Sequence, residues 1–169
     1  MILVTVGSMM PFDRLVAAMD GWASSRAAET AFAQIGGGRP PSHMPWARSV
    51  TLPKFADLVA ESTIIVAHAG MGSIISAAEA GKSIVIMPRH ASLKEHTTDH
   101  QVHTAARLRD RPGIYVAMSE AELPGRIDEA IESAGSERRR LPKTAPEEFI
   151  ARIRALLLHG TSSIPLNGG

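Results

Sequence analysis

The chain has no cysteine, which excludes disulfide frameworks, thiolate zinc sites, iron–sulfur clusters and cysteine nucleophiles. It also lacks a dominant charge: 18 Lys and Arg face 17 Asp and Glu, for a formal net charge of +1. That balance argues against disorder and against a strongly basic nucleic-acid binder, so no nucleic-acid partner is expected. No apolar run approaches the roughly 20 residues that span a bilayer. No basic region precedes the apolar run Ile2–Val6, which predicts the absence of a signal peptide and a cytoplasmic location. Internal repeats are missing. So are GxGxxG and GxxxxGK(S/T), which leaves a dinucleotide site or a P-loop without motif support.

What is present is the material for one core. At 169 residues and 44% hydrophobic, the chain is the size of a single domain that needs no outside staple. Short β-branched runs alternate with helical patterns. Strands are expected at Ile2–Val6, Thr30–Ile35, Thr63–Ala67, Ser83–Met87 and Ile114–Val116, with a weaker one at Ser49–Leu52. Phe12, Leu15, Val16, Met19 and Trp22 recur at helical spacing after Pro11. Further helices are expected at Phe55–Glu61, Ser73–Ala80, Thr97–Arg109, Glu120–Ala134 and Pro146–Leu158. Fully apolar strands mean that both faces of the sheet are covered. The fold class is therefore α/β, a Rossmann-like doubly wound parallel sheet. The domain is expected over 1–145, an amphipathic C-terminal helix over 146–159 and a frayed tail over 160–169.

Ligands of such folds bind beyond the carboxyl ends of the strands. Three of those ends carry glycine: Gly7-Ser8, Gly36-Gly37-Gly38 and His68-Ala69-Gly70-Met71-Gly72-Ser73. The helix after Gly72 offers free N–H groups and a positive dipole end, which suit a phosphate, and Ser73 adds a hydroxyl.

Taken in order, several segments resemble one family. They are Val4–Ser8 with Pro11–Val16, His68–Ser73, Glu79-Ala80-Gly81-Lys82, Val85–Arg89, Glu95-His96 and Asp99-His100-Gln101. The chain is similar over roughly its first 110 residues to the glycosyltransferase family 28 C-terminal domain, of the GT-B architecture. The resemblance extends to the small catalytic subunits of two-part transferases. Among these are the dolichol-linked N-acetylglucosaminyltransferase subunit and bacterial exopolysaccharide glucuronosyltransferase subunits.

The resemblance implies the donor-binding half of an inverting enzyme. Such an enzyme moves a sugar from a UDP-sugar to a polyprenyl-diphosphate-linked saccharide. Gly7 and Ser8 would lie along the cleft. His68, Gly70, Met71, Gly72 and Ser73 would form the phosphate turn. The segment Ser49–Phe55, with Leu52 and Lys54, would read uracil through its main chain. Relatives often carry Glu four residues after the second glycine of the turn, to bind ribose. Here that position is Ser76, and Glu79 is the substitute one helical turn on. Asp99 and Gln101 would meet the donor-sugar hydroxyls, because an amide both donates and accepts. Arg89, with Lys94 beside it, would pair with a sugar carboxylate and favour UDP-glucuronate over UDP-N-acetylglucosamine. No metal or other cofactor is expected. The acceptor site and the general base would come from a membrane-anchored partner subunit at the cytoplasmic face. The stripe Phe149, Ile150, Ile153, Leu156 and Leu157 is the candidate dock, and Arg138, Arg139, Arg140 and Lys143 a candidate lipid contact.

Two other classes compete. His96, His100 and His103 fall at i, i+4 and i+7, one helical face, with Glu95 and Asp99 nearby. A metal-dependent hydrolase would use such a face, although HExxH is absent. The third reading is a nucleotide-sugar-binding module without turnover.

Overall fold

The computed structural model describes residues 1–26, 30–134 and 151. Six parallel strands form one sheet in the order β3-β2-β1-β4-β5-β6. They are β1 (Ile2–Thr5), β2 (Ala31–Gln34), β3 (Trp46–Ala47), β4 (Ile64–His68), β5 (Ser83–Met87) and β6 (Ile114–Val116). The helices are α1 (Asp13–Ser24), α2 (Leu52–Glu61), α3 (Met71–Glu79), α4 (His100–Leu108) and α5 (Leu123–Glu132).

Strand alternation divides the core in two. Ile2, Val4, Ile64, Val66, Val85 and Met87 face α1 and α5, where Leu15, Met19, Leu123 and Ile127 close the first cluster. Leu3, Ile65, Ala67, Ile84 and Ile86 point the other way, onto Leu58, Ile74, Ala77 and Ala105 of α2, α3 and α4. Each large aliphatic side chain buried in this way contributes about 1.5–3 kcal/mol. The central strands are apolar except at one end (Thr5, His68 and Ser83) because they meet helices on both sides.

The chain winds outward from β1 to β3, returns to the middle, and winds the other way from β4 to β6. The reversal falls between β1 and β4, paired from Ile2↔Ile64 to Thr5↔Ala67. A crevice opens there, beyond the carboxyl ends.

Several expected boundaries differ: the helix expected from Ser73 begins at Met71, and the one expected over Glu120–Ala134 spans Leu123–Glu132. The weak strand lies at Trp46–Ala47, paired with Ala33 and Gln34, and not at Ser49–Leu52. The helix expected from Phe55 begins at Leu52, because Thr51 caps it by accepting from the Lys54 N–H at 3.4 Å and Pro53 fits the first turn. The helix expected from Thr97 begins at His100. Residues ahead of it enter a 3-10 turn, Ala91–Leu93, and Lys94 takes a left-handed conformation at φ 58°. Apart from Ala151, which is helical and exposed, the expected C-terminal helix, the tail 160–169, the basic run Arg138–Arg140 and Lys143 lie outside the described residues. Among the described residues, no helix is long and apolar enough to cross a membrane.

Candidate functional site

The crevice holds a cavity of about 480 Å³. Its walls are the β1–α1 loop (Gly7 to Met10), Leu52 and Phe55 of α2, His68, the α3 face of Gly72, Ser73 and Ser76, and then Arg89, His96 and Gln101. A second cavity of about 510 Å³ shares Gly7, Ser8, Leu52 and Phe55 with the first and extends over Gln34, Gly36, Arg48, Ser49 and Val50. Both volumes are those of small-molecule sites.

His68 ends β4 with its ring packed between two glycines. A β-carbon on Gly7 would lie 2.6 Å from the ring, and one on Gly70 would lie 2.1 Å from Nε2. Gly7 also needs its freedom for a φ of +77°. Burial, with the Arg89 guanidinium nearby, pushes the His68 pKa down from 6.5 to about 4. The imidazole is thus neutral at physiological pH. Its Nδ1 atom is buried and makes no hydrogen bond among the described residues. A neutral ring keeps one N–H donor, so it can bind an anion without titrating.

Helix α3 opens at Gly70 with no side-chain cap. The first-turn N–H groups are therefore left for a ligand, at the positive end of the dipole. Gly72 contrasts with the other two glycines. A β-carbon there would meet nothing within 4 Å, so no protein atom requires glycine at the cavity wall. Ser73 and Ser76 add hydroxyls on that same wall.

A polar network that the sequence does not announce links the two cavities, Thr5 lining the first and Gln34 the second. Thr5 Oγ1 donates to Gln34 Oε1 at 2.7 Å and accepts from the Gly7 N–H at 3.3 Å. Gln34 Nε2 donates to the carbonyls of Gly7 (3.1 Å) and Arg48 (3.0 Å). The signal for it was two polar residues, Thr5 and Gln34, at the carboxyl ends of otherwise apolar strands. Both are buried.

Of the residues proposed from sequence, Gly7, Ser8, Leu52, His68, Gly72, Ser73, Arg89 and Gln101 line the cavity. Gly70 is outside the lining and packs against the His68 ring. Met71 and Lys54 are exposed at their helix starts, away from the lining. Glu79 is exposed at the far end of α3, two turns from the phosphate turn, and Ser76 holds the cavity face instead. The Asp99 carboxylate accepts from the Ala91 N–H at 2.8 Å and so pins the 3-10 turn. Gln101 is buried, with Oε1 accepting from the Arg89 N–H at 3.3 Å.

Two expectations need correction. The first is Arg89 as the partner of a sugar carboxylate: its guanidinium donates to the main-chain carbonyls of Val6, Met10, Pro11 and Glu95. Lys94 is exposed in the loop and outside the cavity lining. The second is the histidine face. Because α4 begins at His100, His96 lies off the helix, its ring 5.8 Å from that of His100. Among the described residues, no three His, Asp or Glu side chains gather closely enough to hold a metal ion.

Glu95 is held in a tight knot. Arg14 donates to it through Nε and Nη2, both at 2.8 Å, and also to the Pro88 carbonyl and to Glu120. Glu95 further accepts from the His90 N–H at 3.0 Å. The knot ties α1 to the loop after β5.

No curated protein matches the chain in sequence. Among solved structures, the calicheamicin glycosyltransferase CalG4 is similar with a TM-score of 0.55 at 19% identity, over 92% of this chain and 43% of that one. The glycotransferase of kitacinnamycin gives 0.55 at 18%, over 94% and 39%. The spinosyn forosaminyltransferase SpnP gives 0.54 at 17%, over 92% and 43%. At these identities the likeness is one of fold, and the chain spans less than half the length of each. The model of the glycosyltransferase family 28 C-terminal domain matches residues 1–157, and the chain belongs to that family.

Proposed function

We propose that this chain is the donor-binding subunit of an inverting glycosyltransferase that takes its sugar from a UDP-sugar. One observation carries the reading. The uncapped N-terminus of α3, with open space over Gly72, faces a cavity at the crevice between β1 and β4. A diphosphate there accepts from the α3 N–H groups, the Ser73 hydroxyl and the neutral His68 ring. Uracil fits the second cavity, where main-chain groups of the Arg48–Thr51 segment offer the donor and acceptor that an imide edge needs. Gln101 supplies an amide to the sugar hydroxyls.

In the transfer, an acceptor hydroxyl attacks the anomeric carbon and the bond from that carbon to the diphosphate oxygen breaks. The electron pair leaves with UDP, whose growing charge is stabilised by the same donors. The acceptor proton goes to a base on a second polypeptide. The acceptor is a polyprenyl-diphosphate-linked saccharide, brought by a membrane-anchored partner at the cytoplasmic face. The reading calls on no metal or other cofactor. With Arg89 engaged, the ground for favouring UDP-glucuronate falls away, and UDP-N-acetylglucosamine stands level with it.

The need for a second half is supported by the fraction of the matched structures that the chain spans, about two-fifths. The mouth of the cavity adds to this. Met9 and Leu52, which line it, are 93% and 86% exposed, and Met71 and Ile75 lie one turn apart on the exposed side of α3.

Calorimetry on the full chain should show UDP binding more tightly than ADP or GDP. Equal affinity for ADP defeats the uracil assignment. Co-expression with a neighbouring-gene membrane protein should give transfer to a polyprenyl-diphosphate-linked acceptor, and the isolated chain should give none. UDP binding with no transfer under any pairing would favour a binding module.

A further inference from the structure

Arg89 is only 2% exposed, although it lies against the cavity. Nη2 donates to the Val6 carbonyl at 2.8 Å and the Met10 carbonyl at 2.7 Å; Nη1 donates to the carbonyls of Pro11 at 2.5 Å and Glu95 at 3.4 Å. The guanidinium carbon sits 4.6 Å from the centre of the Phe12 ring. No carboxylate is paired with this cation among the described residues. Glu95, whose charge acts on it, is already occupied by Arg14 and the His90 N–H.

A buried guanidinium is costly unless its donors are satisfied. Here three of the four satisfying carbonyls belong to one short stretch, Val6 to Pro11, which includes a cavity wall. The fourth belongs to the loop after β5. The main-chain N–H of Arg89 donates to Gln101 Oε1 and so fixes the side of that amide left for a ligand.

We propose that Arg89 is a positioning residue: its planar fork holds the Gly7–Pro11 loop against the β5 loop, so that two walls of the donor cavity move as one unit. The inference rests on the donor-cavity reading above. Lysine keeps the charge but has a single nitrogen and cannot reach the same spread of carbonyls. A role through charge alone predicts that Arg89→Lys restores function. A role through the fork predicts that it does not.

The test compares the full-length unsubstituted chain with Arg89→Lys and Arg89→Gln by hydrogen exchange and by UDP titration. In both variants, exchange within residues 7–11 should rise about tenfold or more, while the Ile64–His68 strand keeps its protection. UDP should bind about tenfold more weakly, because misplaced walls lose contact geometry. UDP should slow exchange in both loops of the unsubstituted chain together, but in only one loop of Arg89→Lys. Retained loop protection and UDP affinity in Arg89→Lys would overturn the proposal. If Arg89→Gln loses protection everywhere, Arg89→Lys decides, and uniform loss in both variants also overturns it, because Arg89 is then a general core support. Failure of UDP to bind the unsubstituted chain would defeat the donor reading instead, and the exchange comparison would still decide the loop claim.

Discussion

His68 fills the space that any side chain at Gly70 would need: a β-carbon there would lie 2.1 Å from Nε2. Two residues of one turn are therefore fixed by each other, and not by the ligand. Gly72, two positions on, has no such neighbour. Glycine in this turn thus has two separate causes, and substitution separates them.

Gly70→Ala should destabilise the fold by about 1–3 kcal/mol, the usual cost of overpacking. Gly72→Val should stay within about 0.5 kcal/mol of the parent, because open space receives the side chain. The ordering should reverse for UDP, where the valine occupies the phosphate's place. Chemical denaturation and calorimetry on the same two variants check both halves.

Acid should weaken the fold through His68. Its pKa in the folded chain is about 4, below the ordinary 6.5. Between those values the unfolded chain binds a proton that the folded chain refuses, so stability is full above pH 6.5 and falls as the pH drops toward 4. The loss is of the order of 3 kcal/mol. His68→Asn should flatten the stability profile in that window, whatever its effect on absolute stability. An unchanged slope would show that His68 is not the group responsible.

Thr5→Val keeps the shape of a buried strand residue but removes the partner of Gln34 Oε1 and of the Gly7 N–H. The expected cost is about 1–3 kcal/mol for the unsatisfied groups. Since Gln34 also holds the Gly7 and Arg48 carbonyls, nucleotide affinity should fall along with stability. Urea unfolding beside UDP titration reads both.

Arg14 and Glu95 are only 13% and 12% exposed as side chains, and their pairing is bidentate. Removing one partner leaves a largely buried charge, so Arg14→Met or Glu95→Gln should cost about 3 kcal/mol or more. A double-mutant cycle should return a coupling of about 1–3 kcal/mol. Additive effects would mean that the pair is incidental.

Much of this architecture was legible in the sequence because successive residues of the apolar strands point alternately into two cores. Leu3 and Val4 could only both be buried in a sheet covered on both faces. The glycine turn at Gly70 and Gly72 was legible for the same local reason, a strand ending where a helix starts. What escaped was nonlocal. Whether Arg89 was free or engaged depended on carbonyls that β1 brings to it across the sheet. The histidine face depended on where α4 begins, and there Asp99 accepts from the Ala91 N–H eight residues earlier and makes no side-chain cap to the helix. Glu79 looked like a near neighbour of Ser76, but one further helical turn carried it out of the crevice.

The sheet has a seam. β1, β2 and β3 follow one another locally, as do β4, β5 and β6, and the two halves meet at the β1–β4 pairing. The Gly7–Ser8 turn hangs from one half, and the His68–Ser73 turn from the other. A molecule gripped by both turns acts as a clasp across that joint, holding the two halves together as well as being held by them. At a hundredfold excess over its dissociation constant, it would add about 2.7 kcal/mol to the folded state. The melting temperature of the bare chain, followed against a panel of nucleotides, would therefore reveal which one closes the clasp before any acceptor is known.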